Sequence, residues 1–187
     1  MPRRRILFSP ADFYQIYNRG NNREKIFYEA ENYRFFLRRL HFYYNPRNIH
    51  FIAFCLMPNH YHLVARLGKD IDFSNVMRSF SVSYIKSFNK VYRQVGHLFQ
   101  GNFEARLVES DEYLAHLIRY IHFNPVSANL VSRAEDWKHS DYAEWLSDSD
   151  VMDEARKRVR SRLFGDAEGY KRFCDGFPGK NSDFSLD

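Results

Sequence analysis

Residues 49–67 read IHFIAFCLMPNHYHLVARL, and the fold follows from how this stretch is divided. Ile49–Met57 is rich in β-branched and aromatic residues and shows no helical period, which is the pattern of a buried strand. Pro58 and Asn59 supply a tight turn, and His60–Leu67 forms a second strand. Strands joined this closely must run antiparallel. Side chains alternate along a strand, so His60 and His62 share one face while Tyr61 takes the other. Two imidazoles about 7 Å apart on one face can converge on an ion, and the same spacing suits two ordinary hydrogen-bonded histidines.

Upstream, Phe13–Tyr17 (FYQIY) reads as a strand and NRGNNREK as a turn. In AENYRFFLRRLHFYYNP the apolar positions Tyr33, Phe36, Leu37, Leu40 and Tyr44 form the stripe of an amphipathic helix, with Pro46 marking its end. Downstream, a second helix carries Phe73, Val76, Met77, Phe80, Tyr84 and Phe88 on one stripe and ends before Gly96. FEARLV at 103–108 fits a fourth strand, and a third helix runs from about Asp111 to Asn124, stopped by Pro125. The order strand, helix, strand, strand, helix, strand is that of an α+β, ferredoxin-like (RRM-like) fold. Two helices cover one face of a four-stranded antiparallel sheet, leaving the other face for the extra helix or for a nucleic acid.

Length and composition set the outer bounds. The chain has 187 residues, enough for one core of ordinary size. Eighteen Phe, 13 Tyr and 2 Trp make it 18% aromatic, and its net charge is +5, which suits a surface that attracts phosphates. The helical spacings nevertheless assign most of these rings to the core. Cys55 and Cys174 are too few for a disulfide framework or a four-thiolate metal site, and a reducing cytoplasm is the expected location. The basic start MPRRRILF has too short an apolar stretch for a signal peptide, and no run approaches a membrane span of about 20 residues. Beyond Trp137 the pattern changes: SDSD at 147–150 reads as a break, VMDEARKRVRSRLF as a short helix and DGFPGKNSDFSLD as a frayed end. The expected division is a domain over residues 1–145 and a helical extension with a tail over 146–187.

The third helix, DEYLAHLIRYIHFNP, buries Leu114, Leu117, Ile118 and Ile121, and places Tyr113, His116, Tyr120 and Asn124 together on a neighbouring face. The carboxamide oxygen of Asn124 is a plausible hard ligand for Mg²⁺ or Mn²⁺, or equally a helix C-cap before proline. Tyr120 is a candidate nucleophile, or a packing tyrosine whose hydroxyl bonds at the core edge.

MPNHYHLV followed some 60 residues later by YLAHLIRYIHFNPVSANLV, with GHLFQGNFEARLV between them, resembles the single-tyrosine HUH transposases of the insertion-sequence type, most closely the REP-associated tyrosine transposases. The resemblance covers about residues 10–145. It implies that His60 and His62 are metal ligands, Asn124 the third ligand and Tyr120 the nucleophile, with Mg²⁺ or Mn²⁺ as cofactor. It further implies cleavage of single-stranded DNA with hairpin structure through a 5′-phosphotyrosine intermediate, followed by strand transfer, carried out by a monomer or a homodimer. His116, one turn before Tyr120, is a possible proton-transfer assistant or a structural histidine.

For DNA contacts the candidates are the basic arm Arg3, Arg4 and Arg5, the pair Arg19 and Arg23 around the glycine turn, and the basic face of residues 156–162. Each is also an ordinary solvated cation. The resemblance breaks at Asn102, Glu104 and Ser127, where similar proteins often carry basic residues. Two alternatives stand beside the transposase reading: a non-catalytic nucleic-acid-binding module using an RRM-like sheet, and a metal hydrolase using the histidine pair with a bound water.

Overall fold

In the computed structural model, which describes residues 8–44, 47–69, 71–148 and 152–177, four strands form one antiparallel sheet. They are β1 (Phe13–Arg19), β2 (Ile49–Met57), β3 (His60–Leu67) and β4 (Glu104–Val108), in the order β2-β3-β1-β4. This is the ferredoxin-like arrangement expected from the chain order, and the Pro58-Asn59 turn joins β2 to β3 as read. The β1–β3 ladder sets Tyr17 opposite His62 and Arg19 opposite His60.

Helices α1 (Ala30–Tyr43) and α2 (Phe73–Tyr92) cover one face. Their stripes bury Phe36, Leu40, Phe80 and Tyr84 against Tyr14, Ile16, Tyr61 and Leu63 of the sheet. Phe36 sits at the centre, with the rings of Tyr61, Phe80 and Tyr84 about it at 5.0, 4.8 and 5.1 Å. The aromatic excess is thus largely core, as the spacings indicated. Helix α1 ends at Tyr43; Pro46, expected to mark its end, lies outside the described residues.

Helix α3 (Asp111–Ser127) crosses the opposite face and buries Leu114, Leu117, Ile118 and Ile121 in one core with Ala53, Cys55 and Val64 of the sheet. Ser110 caps its N-terminus by accepting from the Tyr113 amide at 3.1 Å. Two expectations are corrected here. Pro125 does not stop the helix, which continues to Ser127; the ring removes one backbone donor, but Ala128 N–H reaches the Asn124 carbonyl at 3.0 Å and carries the last turn past it. Asn124 is accordingly a buried residue within the helix, and the C-cap is Ala128.

Helices α4 (Tyr142–Trp145), α5 (Glu154–Phe164) and α6 (Ala167–Cys174) pack into this second core through Trp145, Met152, Val159 and Tyr170. Helix α5 begins at Glu154, and α6 was not anticipated. Phe177, from the segment read as frayed, packs on Phe123 at 5.4 Å, and residues 178–187 lie outside the described range. With α3 and α5 both packed on the sheet, the second face is covered over β2, while Glu104 and Arg106 at the β4 edge stay exposed. Both cysteines are buried free thiols, and among the described residues no helix is long and apolar enough to cross a membrane.

The segment after β1 docks on the β2–β3 turn. Gly20 N–H donates to the Asn59 carbonyl at 2.8 Å, and Ile26 N–H donates to that of Pro58 at 2.8 Å. A Cβ on Gly20 would stand 2.0 Å from the Glu24 carbonyl oxygen, so only glycine allows this approach. Gly20→Ala is expected to destabilise the protein by about 1–3 kcal/mol, read as a lower urea midpoint.

Candidate functional site

Strand alternation turns His60 and His62 toward α3, and their ring centroids lie 5.0 Å apart. From α3, the Asn124 carboxamide nitrogen reaches His62 Nε2 at 3.4 Å, and the Tyr120 ring centroid is 5.7 Å from that of His62. His62, Asn124 and Tyr120 are all buried. The four residues singled out in the sequence therefore meet in one place, although about 60 residues separate the two motifs.

The hydrogen bonds set which imidazole nitrogens carry protons. His60 Nδ1 lies 2.7 Å from Asn59 Oδ1, and an amide oxygen only accepts, so Nδ1 holds the hydrogen and Nε2 keeps its lone pair. Asn59 is itself held, its amide nitrogen donating to the Arg23 carbonyl at 3.1 Å. On His62 the donor from Asn124 marks Nε2 as the lone-pair nitrogen, which leaves the proton on Nδ1, a buried atom without a partner among the described residues. Burial holds the His60 pKa down at about 4, with Asn124 opposing and Arg19 adding to the shift. Burial, helped by the neighbouring His60, holds His62 well below the ordinary histidine value.

Both rings are neutral at pH 7, as ligands must be. Two neutral imidazoles with lone pairs on Nε2, together with a carboxamide that presents its oxygen after a half-turn, make a donor set suited to a divalent ion. Among the described residues no three His, Cys, Asp or Glu side chains gather around one point.

The other candidates are dispersed. Arg19 ends β1 directly across from His60, with its Nε 3.2 Å from Gln100 Oε1, which puts a cation beside the histidine pair. Arg23 contributes its carbonyl to Asn59. His116 is engaged by Arg119, at 2.9 Å, and by the Phe173 ring of α6, at 5.3 Å between centroids. Arg3, Arg4 and Arg5 lie outside the described residues. Arg156 and Arg160 do not form a solvated face: Arg156 donates to Glu144 at 2.5 Å and to the Phe51 carbonyl at 2.9 Å, and Arg160 to the Ser147 carbonyl at 2.7 Å.

Sequence reasoning missed the brace that holds α3. His122, fully buried between Tyr120 and Asn124 in the chain, bonds Tyr170 Oη through Nδ1 at 2.6 Å and Asp141 Oδ1 through Nε2 at 2.9 Å. The same carboxylate accepts from the Phe54 amide of β2 at 2.7 Å and from Trp145 Nε1 at 3.2 Å, and lies 3.5 Å from Arg156. Burial pushes the Asp141 carboxyl up, but Arg156, His122 and the Phe54 N–H outweigh it and hold the pKa below the ordinary value. One carboxylate thus ties α3, α4, α5 and β2 together, and fixes α3 over the strand pair that carries the histidines. The only signal in the sequence was a histidine next to the core stripe of α3, a position that demands polar partners. Asp141→Ala leaves Arg156 and His122 without it, and is expected to cost about 3–5 kcal/mol in urea unfolding.

Gln15 was also unremarked. It lies on the same sheet face, diagonal to His62, with both carboxamide atoms buried and unpartnered among the described residues.

The family model described as IS200-like transposase matches residues 13–124. A Haemophilus influenzae protein named as a REP-associated tyrosine transposase is 29% identical over 106 residues, covering 49% of this chain and 57% of that protein's length. A solved structure of a REP-associated tyrosine transposase bound to a REP hairpin superposes with a TM-score of 0.65 at 20% identity, covering 83% of this chain and 96% of the other. At that identity the likeness is one of fold.

Proposed function

The chain belongs to the IS200-like transposase family, and on that premise we propose that it is a metal-dependent single-stranded DNA endonuclease and strand transferase acting on hairpin-bearing DNA. The observation that carries this reading is the convergence of His60, His62, Asn124 and Tyr120 in one buried cluster. The names of the relatives support a REP-like hairpin as substrate.

The Tyr120 hydroxyl attacks the scissile phosphorus. A bond forms between Tyr120 Oη and that phosphorus, the bond to the 3′ oxygen breaks, and the leaving oxygen takes up a proton as a free 3′-OH. The product is a 5′-phosphotyrosine linkage. It conserves the ester, so a second 3′-OH can reverse the step and join strands without ATP. His60, His62 and Asn124 would hold Mg²⁺ or Mn²⁺, which when bound would withdraw charge from the phosphate. Arg19, opposite His60, suits a non-bridging phosphate oxygen.

The Tyr120 ring lies 5.7 Å from that of His62 in the same chain, a spacing that suits a monomer acting in cis. We assign catalysis to residues 1–145 and give the extension at 146–187 the role of buttressing α3. An RRM-like binding module would need a sheet face open across its strands, and α3 and α5 occupy the part over β2.

The strand-transfer step is tested by adding an unlabelled strand with a 3′-OH to the adduct formed from a labelled hairpin and Mn²⁺. A longer labelled product without ATP is expected, whereas a released 5′-phosphate would indicate a metal hydrolase.

A further inference from the structure

We infer that a cleft where β1 ends and β4 begins holds one unpaired nucleobase of the bound strand beside the cleaved phosphate, an inference that rests on the strand-cleaving reading above. The cleft has a volume of about 100 Å³ and is bounded by Tyr17, Arg19, Gln100, Asn102 and Glu104. Tyr17 and Arg19 are the β1 partners of His62 and His60, so this wall of the cleft stands one strand spacing, about 4.8 Å, from the strand that carries the histidine pair.

Its far wall is already in place. Gln100 N–H bonds the Arg19 carbonyl at 3.0 Å, Asn21 N–H bonds that of Leu98 at 2.9 Å, and Asn18 Nδ2 bonds that of Gly101 at 3.1 Å. Phe99 is buried and bridges to Gly20, which anchors the segment. Little ordering cost then falls on binding.

The lining chemistry selects the ligand. Carboxamides at Gln100 and Asn102 offer in-plane donors and acceptors, and Glu104 offers acceptors, matching the edge of a base. The carboxylate repels a phosphate from the same space. Tyr17, with the Arg106 guanidinium 5.4 Å from its ring centroid, gives an aromatic wall. A carboxylate in this position accepts from an exocyclic amino group, so the cleft prefers adenine, cytosine or guanine to thymine, which has none.

The test uses a hairpin oligonucleotide library with randomised single-stranded flanks. Strands captured covalently by the wild-type protein with Mn²⁺ are sequenced, alongside strands bound non-covalently by Tyr120→Phe. One flanking position is expected to disfavour thymine by roughly tenfold. Asn102→Ala should flatten that position alone, and Glu104→Gln, which adds a donor, should admit thymine there. Circular dichroism melts establish that both exposed-site variants are folded. Profiles identical in wild type and both variants overturn the inference while leaving cleavage intact. A position-specific preference in the bound pool without any covalent adduct supports the base cleft and refutes the catalytic reading instead.

Discussion

Tyr120→Phe is expected to eliminate the covalent protein–DNA adduct formed with a labelled hairpin and Mn²⁺, a loss on the order of 10³-fold or more, while hairpin binding is retained. The substitution removes one oxygen and keeps the ring. Tyr120 is 8% exposed, and its ring packs edge-on against His62, so the local packing has little cause to change. What disappears is the atom that forms the bond to phosphorus, and no geometry elsewhere in the site compensates for it. An undiminished adduct in Tyr120→Phe would show that another residue is the nucleophile.

The double variant His60→Ala, His62→Ala is expected to abolish Mn²⁺ binding measured by calorimetry and, with it, the Mn²⁺-dependent adduct. Removing both imidazoles leaves Asn124 as a single neutral donor, too little for a divalent ion in competition with water. The pKa values add a pH signature. Unfolded, His60 titrates near 6.5; folded, it titrates at about 4. Between these values the unfolded chain binds a proton that the folded chain refuses. The stabilisation is therefore complete above about pH 6.5 and is lost as the pH falls toward 4, by about 3 kcal/mol from His60, with His62 contributing in the same direction. Mn²⁺ binding should accordingly persist to about pH 5, rather than fail through the ordinary histidine range. Loss of binding centred near pH 6.5 would mean that the imidazoles are solvated.

The strand pairing and the histidine face were legible because they depend on local rules: a period of two, a two-residue turn and an apolar stripe. His60 and His62 could be placed on one face from alternation alone, and Tyr120 and Asn124 on one side of α3 from its period. That the two sets meet could not be read from periodicity; it needed the resemblance, and the structure then supplied the contacts. Asn59 escaped notice because it looked like a turn residue, and only the fold shows its amide oxygen on His60. The pairing of His122 with Asp141 spans 19 residues, and that of His122 with Tyr170 spans 48, so neither follows from a helical or strand repeat. Pro125 misled for a related reason. The rule that proline ends helices weighs one backbone bond, whereas packing of α3 on the sheet carries the helix one further turn.

A crystal structure of the protein with Mn²⁺, located by anomalous scattering, tests the central claim most directly. One ion bound by His60 Nε2, His62 Nε2 and the Asn124 carboxamide oxygen, each at about 2.1 Å, within reach of a phosphate attacked by Tyr120, is the predicted result. An ion held elsewhere, or held by the histidines with Asn124 turned away and Tyr120 out of reach, would contradict it.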